Sequence, residues 1–145
     1  MKVANIMTKD VETCTYLDNV YEAAVKMRDY DIGALPIVDG SRLIGIVTDR
    51  DIVIRCIAEK LPPSTNVKEI MTRDVKTVTK DQSVEEVSKI MANEQIRRIP
   101  VVEGEKLIGI VSLGDLAVEN NTDEKAKIAL SEISEERSEG EHFMN

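Results

Sequence analysis

Aromatic side chains make up only 3% of the 145 residues, with no Trp and a single Phe, Phe143. A core must therefore be built from Val, Ile, Leu, Met and Ala, and the aromatic platforms on which single-stranded nucleic acids stack are missing. Positive charge is also scarce. With 19 Lys and Arg against 27 Asp and Glu, the net charge is −8, which opposes the phosphate backbone and argues against a nucleic-acid partner. The two cysteines, Cys14 and Cys56, have no CxxC spacing, and the one histidine is His142 near the C-terminus. That arithmetic excludes a disulfide framework and a structural zinc site, so no metal is expected. Without a Cys–His constellation or a GxxxxGK[ST] loop, nucleophilic and phosphoryl-transfer catalysis lack their usual parts, and the chain reads as a non-enzyme. No apolar run approaches the roughly 20 residues of a membrane span, and MKVANIMTKD lacks the apolar stretch of a signal peptide. A cytoplasmic location without a membrane partner is expected.

What the chain does have is 42% hydrophobic and 32% charged residues, the balance of a soluble globular protein, and a duplication. A shift of 64 positions carries Leu43 onto Leu107 and aligns IMTKDVETCT (6–15) with IMTRDVKTVT (70–79), and ALPIVDGSRLIGIVTDRD (34–51) with RIPVVEGEKLIGIVSLGD (98–115). No gap is needed. Pro62 and Pro63 interrupt any helix between the copies. The organisation expected is repeat 1 over 1–58, a linker over 59–69, repeat 2 over 70–120, and a short helix with an acidic, disordered tail over 121–145.

Each repeat has the same order of elements. An extended lead-in alternates Val11, Thr13, Thr15 in one copy and Val75, Thr77, Thr79 in the other. A helix follows, opened by Asn19 with Glu22 or by Ser83 with Glu86, the spacing of a capping box. Its buried stripe is predicted as Val20, Ala23, Ala24 and Met27, or Val84, Val87, Ile90 and Met91. Two apolar strands then meet at Asp39-Gly40 or Glu103-Gly104 as a hairpin. A second helix is predicted from about 49 to 59 and about 113 to 119. The fold class is α/β in the α+β sense, lead-in strand, helix, strand, strand, helix, twice. One repeat alone would bury too little surface to be stable, so the two are expected to pack sheet to sheet about a pseudo-two-fold axis.

Both hairpins end in [ST]-x-x-D: Thr48 to Asp51, and Ser112 to Asp115. The plain interpretation is a helix cap. A chemical one stands beside it. Open N–H groups at the helix start, with the Thr48 or Ser112 hydroxyl, form an anion site, and Asp51 or Asp115 is placed to accept two hydrogen bonds from a ribose diol. Gly45 and Gly109, inside apolar strands, leave room for close approach of backbone or ligand. The copies differ where Ile32-Gly33-Ala34 is replaced by Ile96-Arg97-Arg98, an arginine pair suited to phosphate. They differ again where Asp49 and Arg50 become Leu113 and Gly114. Arg50 is either an exposed helix-start residue or a phosphate contact for the first copy.

With IMT, ALPIVD, RIPVVE, GIVTDRD and GIVSLGD at one repeated spacing, the chain over roughly 1–120 resembles a tandem cystathionine β-synthase (CBS) domain pair, or Bateman module. IRRIPVV followed by GIVSLGD is similar to the last repeat of the γ subunit of AMP-activated protein kinase. The resemblance implies clefts between the repeats that hold adenine ligands such as AMP, ADP, ATP or S-adenosylmethionine, with no obligatory cofactor. It implies ribose contacts at Asp51 and Asp115, and phosphate contacts at Thr48, Ser112, Arg97, Arg98, Arg50 and Gly114. The adenine side would be lined by Thr13, Ile32, Gly33, Ala34, Thr77 and Ile96. A stand-alone sensor that signals nucleotide occupancy to a protein partner is expected, dimerising through helix faces that include Ile52, Val53 and Ile57. The alternatives are a ligand-free dimerisation or scaffold module and an S-adenosylmethionine sensor.

Overall fold

The computed structural model describes residues 1–118, so the helix and tail expected over 121–145 lie outside the described residues. The chain divides into two compact units whose membership does not follow the sequence copies. A first-repeat unit comprises Asp10–Lys76 with Gly104–Leu107, and a second-repeat unit comprises Met1–Lys9, Thr77–Glu103 and, among the described residues, 108–118. Each copy's IMT lead-in is thus built into the unit of the other copy.

The first-repeat unit contains β1 (Cys14–Thr15), α1 (Val20–Tyr30), β2 (Ala34–Asp39), β3 (Arg42–Thr48) and the single turn α2 (Asp49–Asp51). Strands β2 and β3 pair antiparallel from Ala34 opposite Thr48 to Asp39 opposite Arg42, with a bulge between Ile37 and Val38. The hairpin turns at Gly40, whose φ of +65° is a left-handed value that suits glycine. On the other edge of β2, β1 runs parallel, Cys14 opposite Ile37. The predicted capping box opens α1: Asn19 Oδ1 accepts from Glu22 N at 2.8 Å and Glu22 Oε1 from Asn19 N at 3.2 Å. Val20, Ala23 and Met27 of α1 are buried with Leu35, Ile37, Val47 and Cys56, and the core is completed by Val67 from the linker and by Ile70 and Met71 from the lead-in of the second copy. Ala24, placed in the stripe by its spacing, is exposed.

The second helix of this unit differs from expectation. Only Asp49–Asp51 is α-helical; Ile52–Ile57 forms a π-helical turn, in which Ala58 N donates to Val53 O five residues back at 2.9 Å. The run Ile52-Val53-Ile54 is β-branched throughout and favours an α-helix poorly. The wider turn buries Cys56 and leaves Val53, Ile54 and Ile57 at the surface, while Ile52 packs against the core.

The second-repeat unit contains α3 (Val84–Glu94), β4 (Arg98–Glu103), β5 (Lys106–Ser112, its first two residues belonging to the other unit) and α4 (Leu113–Val118). Strands β4 and β5 are hydrogen-bonded neighbours, and Val78 bridges to Val101 in parallel, the counterpart of β1 beside β2. Ser83 and Glu86 close the second capping box. Val84, Val87 and Met91 of α3 are buried with Ile99, Val101, Val111, Leu113 and Leu116, with Ile90 half-buried against them; Val3 joins from the N-terminal lead-in.

Gly45 and Gly109 have the same structural use. Thr72 and Ile46 exchange backbone hydrogen bonds of 2.8 and 3.0 Å, as do Thr8 and Ile110 at 2.8 and 2.9 Å. A Cβ on Gly45 would lie 2.5 Å from Met71 Sδ and 2.9 Å from Thr72 O, and one on Gly109 would lie 2.8 Å from Met7 Sδ and 2.9 Å from Thr8 O. The space left by each glycine is therefore filled by a lead-in. Both units are mixed α+β, and among the described residues no helix is long and apolar enough to cross a membrane.

Candidate functional site

In the first-repeat unit, the strand end and the first turn after it are locked reciprocally. Asp51 N donates to Thr48 Oγ1 at 3.0 Å, and Thr48 N donates to Asp51 Oδ2 at 3.0 Å. Both residues are half-buried. Asp49 N donates to Gly33 O at 2.9 Å and Arg50 N to Asp49 Oδ1 at 2.8 Å. These bonds give intramolecular partners to the amides that the sequence suggests would be open to an anion. What remains is side-chain chemistry. Thr48 Oγ1 accepts a bond and keeps its proton to donate, and the Asp51 carboxylate has further lone pairs beyond the one engaged by Thr48 N. Arg55 Nε lies 3.7 Å from Asp51 Oδ1, and its Nη1 donates to Ile70 O at 3.3 Å.

Gly33 and Ala34 come to this corner because Ala34 pairs with Thr48 and Gly33 O receives Asp49 N. Ile32 is half-buried against the first core. Thr13 immediately precedes β1, and its carbonyl accepts from Lys26 Nζ at 2.6 Å. Neighbouring Cys14 is fully buried; burial, with help from the Asp18 carboxylate, pushes its thiol up to about 12.

The second-repeat unit builds the same corner with different side chains. Ser112 N donates to Asp115 Oδ2 at 2.8 Å and Asp115 N to Ser112 Oγ at 3.1 Å. Leu113 N donates to Arg97 O at 2.8 Å, repeating the Asp49–Gly33 bond, but Leu113 is buried and uncharged. Arg97 is exposed, Arg98 half-buried at the start of β4, and Gly114 exposed. Ile96 packs half-buried against the second core, and Thr77 is half-buried beside the Val78–Val101 bridge. Asp51 and Asp115 thus belong to different units. Two residues given no role from the sequence, Asp49 and Arg55, stand at the first corner. Both were detectable: Asp49 because its alignment with Leu113 marks a change of charge, and Arg55 because it stands four residues after Asp51 in the predicted helix, the spacing of an ion pair.

Two α+β units, each ending its hairpin in the same hydroxyl–carboxylate corner, define a paired-repeat module. The sequence pattern of the CBS domain matches residues 3–57 and 67–119, and the chain belongs to the CBS domain family. It is 51% identical to protein YlbB of Bacillus subtilis (strain 168) over 146 residues, 99% of each chain. The structure of Hypoxic Response Protein I with two coordinated zinc ions matches with a TM-score of 0.76 and 37% identity, covering 82% of this chain and 98% of that one. The CBS domain pair of protein MJ0100, solved in complex with 5′-methylthioadenosine and S-adenosyl-L-methionine, matches with a TM-score of 0.72 and 32% identity over 81% of this chain and 94% of that one. Among the described residues, no three His, Cys, Asp or Glu side chains are grouped so as to hold a metal ion.

Proposed function

We propose that this chain is a regulatory, non-catalytic CBS-pair protein that binds an adenosine-containing ligand, with AMP, ADP or ATP as the first candidates, and conveys occupancy to a separate partner. The observation that carries this is the reciprocal hydroxyl–carboxylate corner, present once in each unit, in a family with a solved member bound to two adenosine derivatives. At each corner a fixed carboxylate accepts from the ribose hydroxyls, and the Thr48 or Ser112 hydroxyl donates to the 5′ substituent. Arg97 and Arg98 supply charge-assisted bonds to phosphate, and Ile32, Gly33, Ala34 and Ile96, with Thr13 and Thr77, face the base. Exposed Val53, Ile54 and Ile57 are the surface through which two copies associate.

A second interpretation is favoured by the completeness of both capping boxes. Thr48–Asp51 and Ser112–Asp115 already have a structural use, so the chain could serve as a ligand-free scaffold. Calorimetric titration with AMP, ADP, ATP and S-adenosylmethionine separates the two. For a ligand-binding protein, Asp115→Ala abolishes one binding event and costs about 1 kcal/mol from the lost cap. For a scaffold, the wild-type chain binds nothing at millimolar concentration and the variant loses only stability.

A further inference from the structure

The two corners are built on matching backbone hydrogen bonds but differ in the charges they carry. Where the first-repeat unit has Gly33, Ala34, Asp49 and Arg50, the second has Arg97, Arg98, Leu113 and Gly114. With Asp51 and the Arg55 that pairs with it, the first set holds two carboxylates and two guanidinium groups, a formal charge of zero; with Asp115 the second holds one carboxylate and two guanidinium groups, a formal +1. Asp49 is exposed, and one of its oxygens is engaged locally. Its N–H is bound to Gly33 O, its Oδ1 accepts from Arg50 N, and its Oδ2 would be 3.1 Å from a Cβ on residue 33. The carboxylate therefore sits over the backbone position that, in the other unit, bears the Arg97 side chain. In that unit Leu113 N makes the equivalent bond, to Arg97 O, and Leu113 brings no charge. Among the described residues neither Arg97 nor Arg98 enters an ion pair.

We propose, resting on the adenosine-ligand reading above, that the two corners take different ligands and that Asp49 is the residue that separates them. The second-repeat corner takes an adenosine ligand with a 5′-phosphate, drawn by Arg97 and Arg98. The first-repeat corner takes an adenosine derivative whose 5′ substituent is neutral or cationic, because a phosphate there would face the Asp49 carboxylate as well as that of Asp51. Discrimination by a like charge is repulsive specificity.

The test uses the full chain with AMP and 5′-methylthioadenosine as probes, each titrated alone and then in the presence of the other at saturation. One equivalent of each is expected, with the 5′-methylthioadenosine equivalent persisting in saturating AMP. R97A/R98A should weaken AMP about 10- to 100-fold, the worth of charged hydrogen bonds, while changing 5′-methylthioadenosine by less than about twofold. If the double variant melts early, because Arg98 is half-buried, R97A alone should move AMP in the same direction. Asp49→Asn, which keeps the acceptor for Arg50 N and removes the charge, should open a second equivalent of AMP. Mutual displacement of the two probes from one equivalent overturns the division of ligands while leaving adenosine binding intact. So does equal weakening of both by R97A/R98A, or AMP staying at one equivalent in Asp49→Asn. Absence of binding by either probe at millimolar concentration overturns both proposals together.

Discussion

An alanine at Gly109 would place its Cβ 2.8 Å from Met7 Sδ and 2.9 Å from the backbone oxygen of Thr8. The thioether can move aside, but the carbonyl is tied by the two hydrogen bonds between Thr8 and Ile110. Gly109→Ala and Gly45→Ala should therefore each cost about 1–3 kcal/mol, the usual penalty of overpacking, measured by urea unfolding. Both positions stood out in the sequence as glycines inside apolar strands. The occupant of the space was not legible, because the methionine that fills it comes from a distant part of the chain that no local pattern links to the strand. Cys14 offers a residue-scale pH dependence. Its thiol is raised to about 12 in the fold and titrates near 8.5 in an unfolded chain. Below the unfolded value both states hold the proton, and the stabilisation is fully present. As pH climbs from there towards 12, the unfolded chain ionises first and the stabilisation is lost. The stability difference between the wild type and Cys14→Ala should therefore shrink between pH 8 and pH 10.5 in paired unfolding curves.

At the scale of elements, caps were the most legible feature. Asn19–Glu22 and Ser83–Glu86 form the boxes that their spacing announces, because a cap is decided by four consecutive residues. The helix after β3 was less legible: periodicity suits an α-helix from about 49 to 59, yet a π turn occupies Ile52–Ile57, since the burial of Cys56 is decided by tertiary packing outside the local pattern. The C-terminus of α1 has a feature that spacing does not show. Asp31 caps it in the left-handed region, φ 53° and ψ 52°, its N–H bonded to Met27 O. An L-residue is strained there and glycine is not. Asp31→Gly should therefore raise stability by about 0.5–1 kcal/mol, seen as a higher melting temperature without a change in the helical signal.

For the whole molecule, the duplication read from the sequence predicts two copies of one fold, and two units of like topology are present. What the linear pattern conceals is which chain segments complete which unit, since a 64-residue shift relates IMT to IMT wherever each of them packs. The first-repeat core contains Val67 from the linker and Ile70 and Met71 from the second copy's lead-in, all buried. At about 1.5–3 kcal/mol for each large apolar side chain fully buried, their loss would remove roughly 5–9 kcal/mol, comparable with the net stability of a small domain. The backbone bonds between Thr72 and Ile46 and between Val67 N and Asp18 O would go with them. A fragment cut at the sequence repeat, residues 1–58, keeps its own α1, β2 and β3 but lacks this closing segment, and it carries an N-terminal lead-in whose partners are Lys80, Gln82 and Ile110. A fragment of residues 10–76 lacks only the Gly104–Leu107 piece of the unit. Residues 10–76 should therefore show a cooperative thermal transition and protected amides, and residues 1–58 neither. The opposite ranking, measured by circular dichroism and hydrogen exchange on the two purified peptides, would mean that the exchanged lead-ins contribute little and that each sequence copy is its own folding unit.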